Sequence, residues 1–145
     1  MTGKTPKRKP RPGVDGLGRS PLHYAALEGD VDLVSTLIRQ GLDPSAADDN
    51  GWTPLHFAAQ ENRPDVARTL LAAGAAVDAR DSHGNTPLSS AVFSSDGGGD
   101  VILILRGAGA DALQENNHGV SPLKLAFTIA NYDVKQFFRD LPEPT

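Results

Sequence analysis

Residues 51–59 read GWTPLHFAA, and this stretch decides the fold. Its order is a turn glycine, a hydroxyl, a proline and then small apolar residues. The Thr53 hydroxyl can accept a hydrogen bond from a free N–H in the first turn of a helix, and Pro54 has no N–H to leave unpaired there. The stretch therefore predicts a helix that begins at Pro54.

Three further stretches have the same order of residues. They are GRSPLHYAA at 18–26, GNTPLSSA at 84–91 and GVSPLKLA at 119–126. Their prolines and Pro54 stand at positions 21, 54, 87 and 122, so the spacings are 33, 33 and 35 residues. A fixed period of this length predicts stacked supersecondary units.

These stretches resemble the ankyrin repeat, whose mark is Thr-Pro-Leu-His-x-Ala-Ala about every 33 residues. The likeness covers about residues 15–141 and weakens where Ser89 and then Lys124 replace the histidine. The resemblance implies an all-α solenoid of four helix-turn-helix units with β-turn tips. We number these units one to four, at about residues 15–47, 48–80, 81–115 and 116–141.

The two ends of the chain differ from the repeats. Residues 1–14 contain three prolines, and Met1 is the only sizeable apolar side chain before residue 14, so we expect a flexible basic arm. Residues 142–145 include two prolines, which cannot continue a helix, and are expected to fray.

Composition limits the class of protein. The 145 residues include no cysteine, which excludes disulfides and thiolate chemistry and fits a reducing compartment. No run of about 20 apolar residues could span a membrane, and no apolar stretch follows the N-terminal charges as in a secretory signal. We therefore expect a soluble cytoplasmic protein.

Charge is distributed unevenly along the chain. Residues 1–13 contain five of the fourteen Lys and Arg residues and no acid, so the remainder has nine bases, eighteen acids and a net charge of −9. An acidic body is a poor surface for nucleic acid. Residues 6–11 resemble a short nuclear-import signal, and the alternative is a solvated terminus that only aids solubility.

Local patterns predict several element boundaries. The first helix of unit one is expected from Pro21 to Glu28, closed by Gly29, and Asn62 is expected at the positive-φ position between the helices of unit two. Residues 94–100 of unit three are two residues longer than their counterparts and contain three glycines, which predicts a mobile loop. This loop is either a tolerated insertion or a functional one.

Unit four is expected to form the C-terminal cap of the stack. Its apolar residues at helical spacing predict a second helix, with a polar exposed side, that ends before Pro142. These residues are Val134, Phe137, Phe138 and Leu141.

No motif indicates catalysis, a metal or a cofactor. His23 and His56 match the motif histidine, which the resemblance implies is bonded to neighbouring backbone. His83 and His118 are interpreted as exposed turn residues, because positions one repeat apart rarely share a metal. No Gly-x-Ser-x-Gly elbow occurs, and no lysine follows the glycines at 97–99. We expect a protein that is not an enzyme.

The resemblance implies that hairpin tips and inner helices line a concave groove, whose variable positions contact partners. Trp52 is the expected anchor, because large aromatics dominate measured hot spots; the alternative is that Trp52 packs on the adjacent turn. Carried over position by position, the predicted partner-binding residues are Leu17, Arg19, Leu27, Glu28, Asp49, Asn50, Trp52, Gln60, Glu61, Ser82, His83, Asn85, Phe93, Ser94, Asn117, His118 and Val120.

Two functions from different classes remain open. The first is a protein-binding module, monomeric on its own, that acts as an adaptor or stoichiometric inhibitor, of which an immunity-type protein is one version. An aromatic centre with an acidic and amide rim predicts a basic partner. The second is a nuclear or nucleic-acid-associated regulator that uses the basic arm.

Overall fold

A computed structural model describes residues 11–129 and 133–144. Within these ranges the chain forms seven α-helices and one 3-10 helix, and no strand. The α-helices are α1 (Pro21–Glu28), α2 (Val31–Arg39), α3 (Pro54–Gln60), α4 (Pro64–Ala72), α5 (Pro87–Ser94), α6 (Asp100–Gly107) and α7 (Pro122–Thr128). The C-terminal 3-10 helix spans Val134–Phe138.

The helices stack in two layers. The first helix of each unit packs on the first helix of the next, so α1, α3, α5 and α7 form an inner row, while α2, α4 and α6 form an outer row. The four motif prolines are the first residues of the four inner helices. The expected all-α solenoid of stacked units is confirmed.

Local chemistry sets the helix ends where the sequence indicates. Thr53 Oγ1 accepts from the His56 N–H at 3.3 Å at the start of α3. Gly29 ends α1 at φ 78° in the left-handed conformation. Asn62 has φ 53° and is the only positive-φ residue other than glycine in the described ranges, so that prediction is confirmed.

The core consists of equivalent positions from successive units. The leucine after each motif proline is buried in all four units, at 0–2 % exposure. These leucines are Leu22, Leu55, Leu88 and Leu123. Because each unit is too thin to cover its own apolar face, burial depends on the neighbouring unit.

The hairpin tips form a regular ladder. Each tip is a turn closed by the N–H of its glycine, as between Gly51 and the Asp48 oxygen at 2.9 Å. Neighbouring tips are joined by one backbone hydrogen bond at each of the three junctions. The donors and acceptors are Asp49 N–H and Leu17 O at 3.0 Å, Ser82 N–H and Asn50 O at 2.9 Å, and Asn117 N–H and His83 O at 2.9 Å. This ladder fixes the register in which groove residues face one another.

Unit four departs from the expected helix pair. Val134 and Phe138 are buried as expected, but the second helix is a five-residue 3-10 helix rather than an α-helix. Pro142 limits the element, because it offers no N–H and disfavours the α conformation at Leu141. The expectation of a full second helix is therefore wrong.

The insertion in unit three is fixed at its C-terminal end. Asp100 is the first residue of α6 rather than part of the loop. Gly99 is buried, and a Cβ at this position would overlap the ring of Phe137. The last of the three glycines therefore makes a close approach to the C-terminal 3-10 helix.

The predicted basic arm lies mostly outside the described residues, which begin at Arg11. Arg11 donates two hydrogen bonds to the Asp49 carboxylate, at 2.8 and 3.1 Å. The described part of the arm therefore contacts the hairpin tip of unit two. Residues 142–144 form no helix, and Thr145 is outside the described residues.

Candidate functional site

Hairpin tips and inner helices enclose a concave groove of about 810 Å³. The tips supply one wall and the inner helices supply the floor. We call this surface the groove. Its lining residues are Arg19, Asn50, Trp52, Phe57, Gln60, Asp81, Ser82, His83, Asn85, Ser89, Ser90, Phe93, Ser94, Asn116, His118, Val120 and Leu125.

Eleven of the seventeen predicted partner-binding residues line the groove, and six do not. Asp49 is bound by Arg11, and the Asn117 side chain donates to the Ser82 backbone oxygen at 3.1 Å. Glu61 lies in a separate depression of about 200 Å³ between the interhelical loops. The six residues outside the groove are Leu17, Leu27, Glu28, Asp49, Glu61 and Asn117.

Sequence reasoning missed six groove residues. Phe57, Ser90 and Leu125 occupy the x position of the motif, three residues after the motif proline. This position differs in every unit, and that variation is a signal that could have found them. The other three are Ser89, which replaces the motif histidine, and the turn residues Asp81 and Asn116.

Aromatic rings form the apolar part of the groove. The Trp52 ring is half-buried and lies 5.1 Å from the Phe57 ring and 5.6 Å from the His56 ring, between centroids. Phe93 is 75 % exposed, the largest exposure of any large apolar side chain in the described ranges. Trp52 thus both packs on its own unit and faces the groove, whereas Phe93 has almost nothing covering it.

Arg19 is held in place at the unit-one end of the groove. Its Nε donates to the buried carboxylate of Asp48 at 3.2 Å, and its guanidinium lies 4.9 Å from the Phe57 ring centroid. Tyr24 also faces Arg19 and donates its hydroxyl proton to Asp15. That bond, aided by the Arg19 backbone N–H, lowers the pKa of Asp15.

The motif histidines bridge successive units. His56 Nδ1 accepts from the Thr53 N–H at 3.1 Å, and His56 Nε2 lies 3.0 Å from the backbone oxygen of Asn85 in the next unit. Since the Asn85 oxygen can only accept, Nε2 carries the proton. His23 makes the same bridge from Ser20, at 3.0 Å, to the Trp52 oxygen, at 3.0 Å. The predicted structural role of both histidines is confirmed.

Burial of these two rings affects their titration. Desolvation lowers the pKa of His23 and of His56, although the bonded backbone oxygens favour the charged form. Both imidazole rings are therefore uncharged at neutral pH, and each links two successive units through hydrogen bonds.

The other two histidines lie at exposed turn tips of the groove. His83 and His118 both line the groove and are exposed, as the sequence predicts. Within residues 11–129 and 133–144, no group of three or more His, Cys, Asp or Glu side chains could hold a metal ion. The same ranges contain no helix that is long and apolar enough to cross a membrane.

The groove itself carries little net charge. Its lining includes one arginine and one aspartate, and Asp81 is buried and accepts from the His83 and Asn85 N–H groups at 2.9 Å each. The other lining residues have aromatic, aliphatic, hydroxyl, amide or imidazole side chains. Such a surface recognises shape and hydrogen-bonding groups more than charge.

Comparison with known proteins agrees with this architecture. The family model described as ankyrin repeats (3 copies) matches residues 6–81 and 22–116, which together cover most of the chain. No curated protein matches the sequence. The chain therefore belongs to the ankyrin-repeat family, whose repeats are generally protein–protein interaction modules.

Proposed function

We propose that this protein binds another protein in its groove and acts as an adaptor or as a stoichiometric inhibitor of that partner. The observation that carries the proposal is Phe93, an aromatic side chain that is 75 % exposed and lines the same groove as the half-buried Trp52. Exposed apolar groups clustered in a concave surface mark interaction sites, and aromatic residues supply most hot spots.

The size of the groove supports a specific complex. Four units stacked about 10 Å apart give a length of about 40 Å, and a width of about 20 Å gives on the order of 800 Å² per partner. Serine hydroxyls and amide side chains also line the groove and can form the polar contacts that fix the orientation of a partner.

Charge supports a basic partner through long-range attraction rather than through groove contacts. The chain outside residues 1–13 has a net charge of −9, whereas the groove is close to neutral. A field of this kind raises the rate of encounter with a basic protein and is screened by salt. We therefore expect the association rate constant to fall with salt and the dissociation rate constant to change little.

The proposal includes a cellular setting. The protein acts in the cytoplasm, is monomeric until its partner binds, and has no catalytic activity of its own. The absence of cysteine from the sequence fits a reducing compartment. An immunity-type inhibitor, which covers the active site of a toxin, is one version of this function.

The test begins with co-purification of a partner from the native cell, followed by affinity measurement on variants. We expect Phe93→Ala to weaken binding by about 2 kcal/mol and Trp52→Ala by at least about 1 kcal/mol. Leu103→Ala is the matched control, because Leu103 is 53 % exposed on α6 and lies outside the groove. Losses below about 0.5 kcal/mol for both aromatic variants would rule out this face.

The alternative, a nuclear or nucleic-acid-associated regulator, depends on the basic arm. Its support is the charge of residues 1–13, of which Arg11 is bound to Asp49. Removing residues 1–10 separates the two functions. If salt-dependent nucleic-acid binding disappears and groove binding persists, the arm has its own role; if neither changes, the alternative fails.

A further inference from the structure

Arg11 fixes the point at which the preceding residues leave the stack. Its guanidinium donates to both carboxylate oxygens of Asp49, at 2.8 and 3.1 Å, at the hairpin tip of unit two. The next residue along that tip, Asn50, lines the groove. Residues 1–10, which we call the arm segment, are therefore tethered at the edge of the groove. The cations of the arm segment are Lys4, Lys7, Arg8 and Lys9.

The side of the groove opposite the tips carries negative charge. Gln60 and Ser94 line both the groove and the smaller depression between the interhelical loops, so the two surfaces adjoin. Glu61 and Asp96 line the depression and are exposed, and neither carboxylate forms an ion pair within the described residues. No cation of the described ranges lines the depression, so this charge is open to a basic group.

The length of the arm segment matches the distance across unit two. Helix α3 has seven residues and is about 10 Å long, and the tip adds a similar length, so tip and depression are about 20 Å apart. The prolines of the arm segment favour polyproline II geometry, which rises about 3.1 Å per residue, so the stretch from Arg11 back to Lys4 covers about 22 Å.

We propose that the arm segment occupies the groove of its own chain when no partner is bound, and that it crosses unit two from the tip to the depression. Lys4 and Lys7 pair with the carboxylates of Glu61 and Asp96, and the prolines of the segment pack on the Trp52 ring. Aromatic-lined grooves bind proline-rich segments in this way. The docking does not depend on the proposed function, whereas its consequence, competition with the partner, rests on it.

The tether makes weak contacts sufficient for docking. A short linker holds a segment at an effective concentration on the order of 1 mM, so an intrinsic dissociation constant of about 0.1 mM fills the groove roughly nine-tenths of the time. A partner then binds about tenfold more weakly than it binds an open groove. Because the arm segment has the charge expected of the partner, it acts as an internal competitor.

Trp52 is the only tryptophan in the chain, so its fluorescence reports on the groove. In the intact chain, Lys4→Ser with Lys7→Ser should roughly double the acrylamide quenching constant of Trp52, because the population shifts to the open groove. Arg39→Ser with Arg68→Ser is the matched control, since it removes the same charge from exposed positions on α2 and α4 and should leave quenching unchanged. Equal quenching of wild type and arm variant, or an equal increase in the control, would overturn the proposal.

Charge reversal tests the pairing of the lysines. Glu61→Lys with Asp96→Lys should uncover Trp52 as the arm variant does. Adding Lys4→Glu and Lys7→Glu should restore the quenching of wild type, because the ion pairs form again with exchanged signs. Failure of this restoration would refute the pairing. Quenching should not depend on protein concentration, and a decrease at high concentration would show that the segment of a second copy fills the groove instead.

The partner provides a separate readout. Lys4→Ser with Lys7→Ser should strengthen partner binding about fivefold, since two cations of the arm segment remain. If this variant leaves Trp52 quenching unchanged while Phe93→Ala still weakens partner binding, the docking is wrong and the groove function stands. If the variant uncovers Trp52 but neither it nor Phe93→Ala affects the partner, the arm segment docks and the groove function is wrong.

Discussion

The junction between units two and three differs from the junction between units three and four. The former is closed by His56, a fully buried ring that links Thr53 to Asn85. The latter has no such ring. At its tips, the Asn116 side chain donates a hydrogen bond to the Asn85 side chain at 2.9 Å, and the Asn117 side chain donates one to the Ser82 oxygen at 3.1 Å. Arg80 adds longer hydrogen bonds to the Glu115 oxygen and to the Asn117 side chain.

The helix side of the last junction compensates for this loss. Arg106 of α6 donates to the Phe137 backbone oxygen at 2.9 Å and to both Asp140 oxygens, at 2.6 and 2.7 Å. Its guanidinium also lies 5.2 Å from the Phe138 ring centroid. Unit four is therefore held on both sides, by Arg106 at its helices and by amide and backbone hydrogen bonds at its tip.

The largest expected effect is the loss of a bridging ring. His56→Ala removes two buried bonds and leaves the Thr53 N–H unpaired, so the free energy of unfolding should fall by roughly 3 kcal/mol. Ser89→Ala, the equivalent change in unit three, should alter the free energy of unfolding by less than about 0.5 kcal/mol. Urea unfolding measures both values, and equal losses would remove the contrast between the junctions.

The next effect is a dependence on pH. The pKa of His56 is lowered from its ordinary 6.5 by burial, so the unfolded chain binds the proton more readily than the folded chain. The contribution of neutral His56 to the free energy of unfolding is fully present above pH 6.5 and is lost as the pH falls below that value. Comparing urea midpoints at pH 7.5 and pH 5.5, His56→Ala should show a smaller decrease than wild type. An identical decrease would mean that other groups cause it.

A moderate effect is expected where unit three meets the C-terminal 3-10 helix. Gly99→Ala places a Cβ against the Phe137 ring and should cost on the order of 1 kcal/mol. The cost should be smaller when the same change is made in a Phe137→Ala background. Full additivity of the two changes would show that the ring moves away freely.

The smallest expected effect concerns Arg80. Its bonds to the Glu115 oxygen at 3.3 Å and to the Asn117 side chain at 3.4 Å are long and exposed. Arg80→Ala should therefore cost less than about 0.5 kcal/mol in urea unfolding. A loss above about 1 kcal/mol would show that the last tip is held as firmly as the imidazole-linked ones.

Regular features could be predicted from the sequence because they depend on neighbouring residues. The proline and hydroxyl pair defined each inner helix start, and the limits of α1 were predicted to the residue. Asn62 was identified by its place between two helices. In each case a few adjacent residues determine the local conformation of the backbone.

Other features depend on contacts between units and escaped prediction. The close approach of Gly99 and Phe137 joins positions 38 apart, and nothing in the local pattern indicates it. The sequence shows Ser89 in place of histidine, but only the structure shows that the histidines of units one and two bond to backbone oxygens of the next unit. Groove residues such as Phe57, which is 4 % exposed, resemble core residues in the sequence, because periodicity does not distinguish the floor of a groove from a core.

The pairing of Arg11 with Asp49 has a practical consequence for labelling. Asp49 precedes Asn50, a groove residue, so the N-terminal segment departs from the rim of the groove. Ten fully extended residues span at most about 36 Å, and an epitope tag fused before Met1 can therefore reach much of the same surface. A tag placed after Thr145 starts beyond the C-terminal 3-10 helix and suits capture assays better.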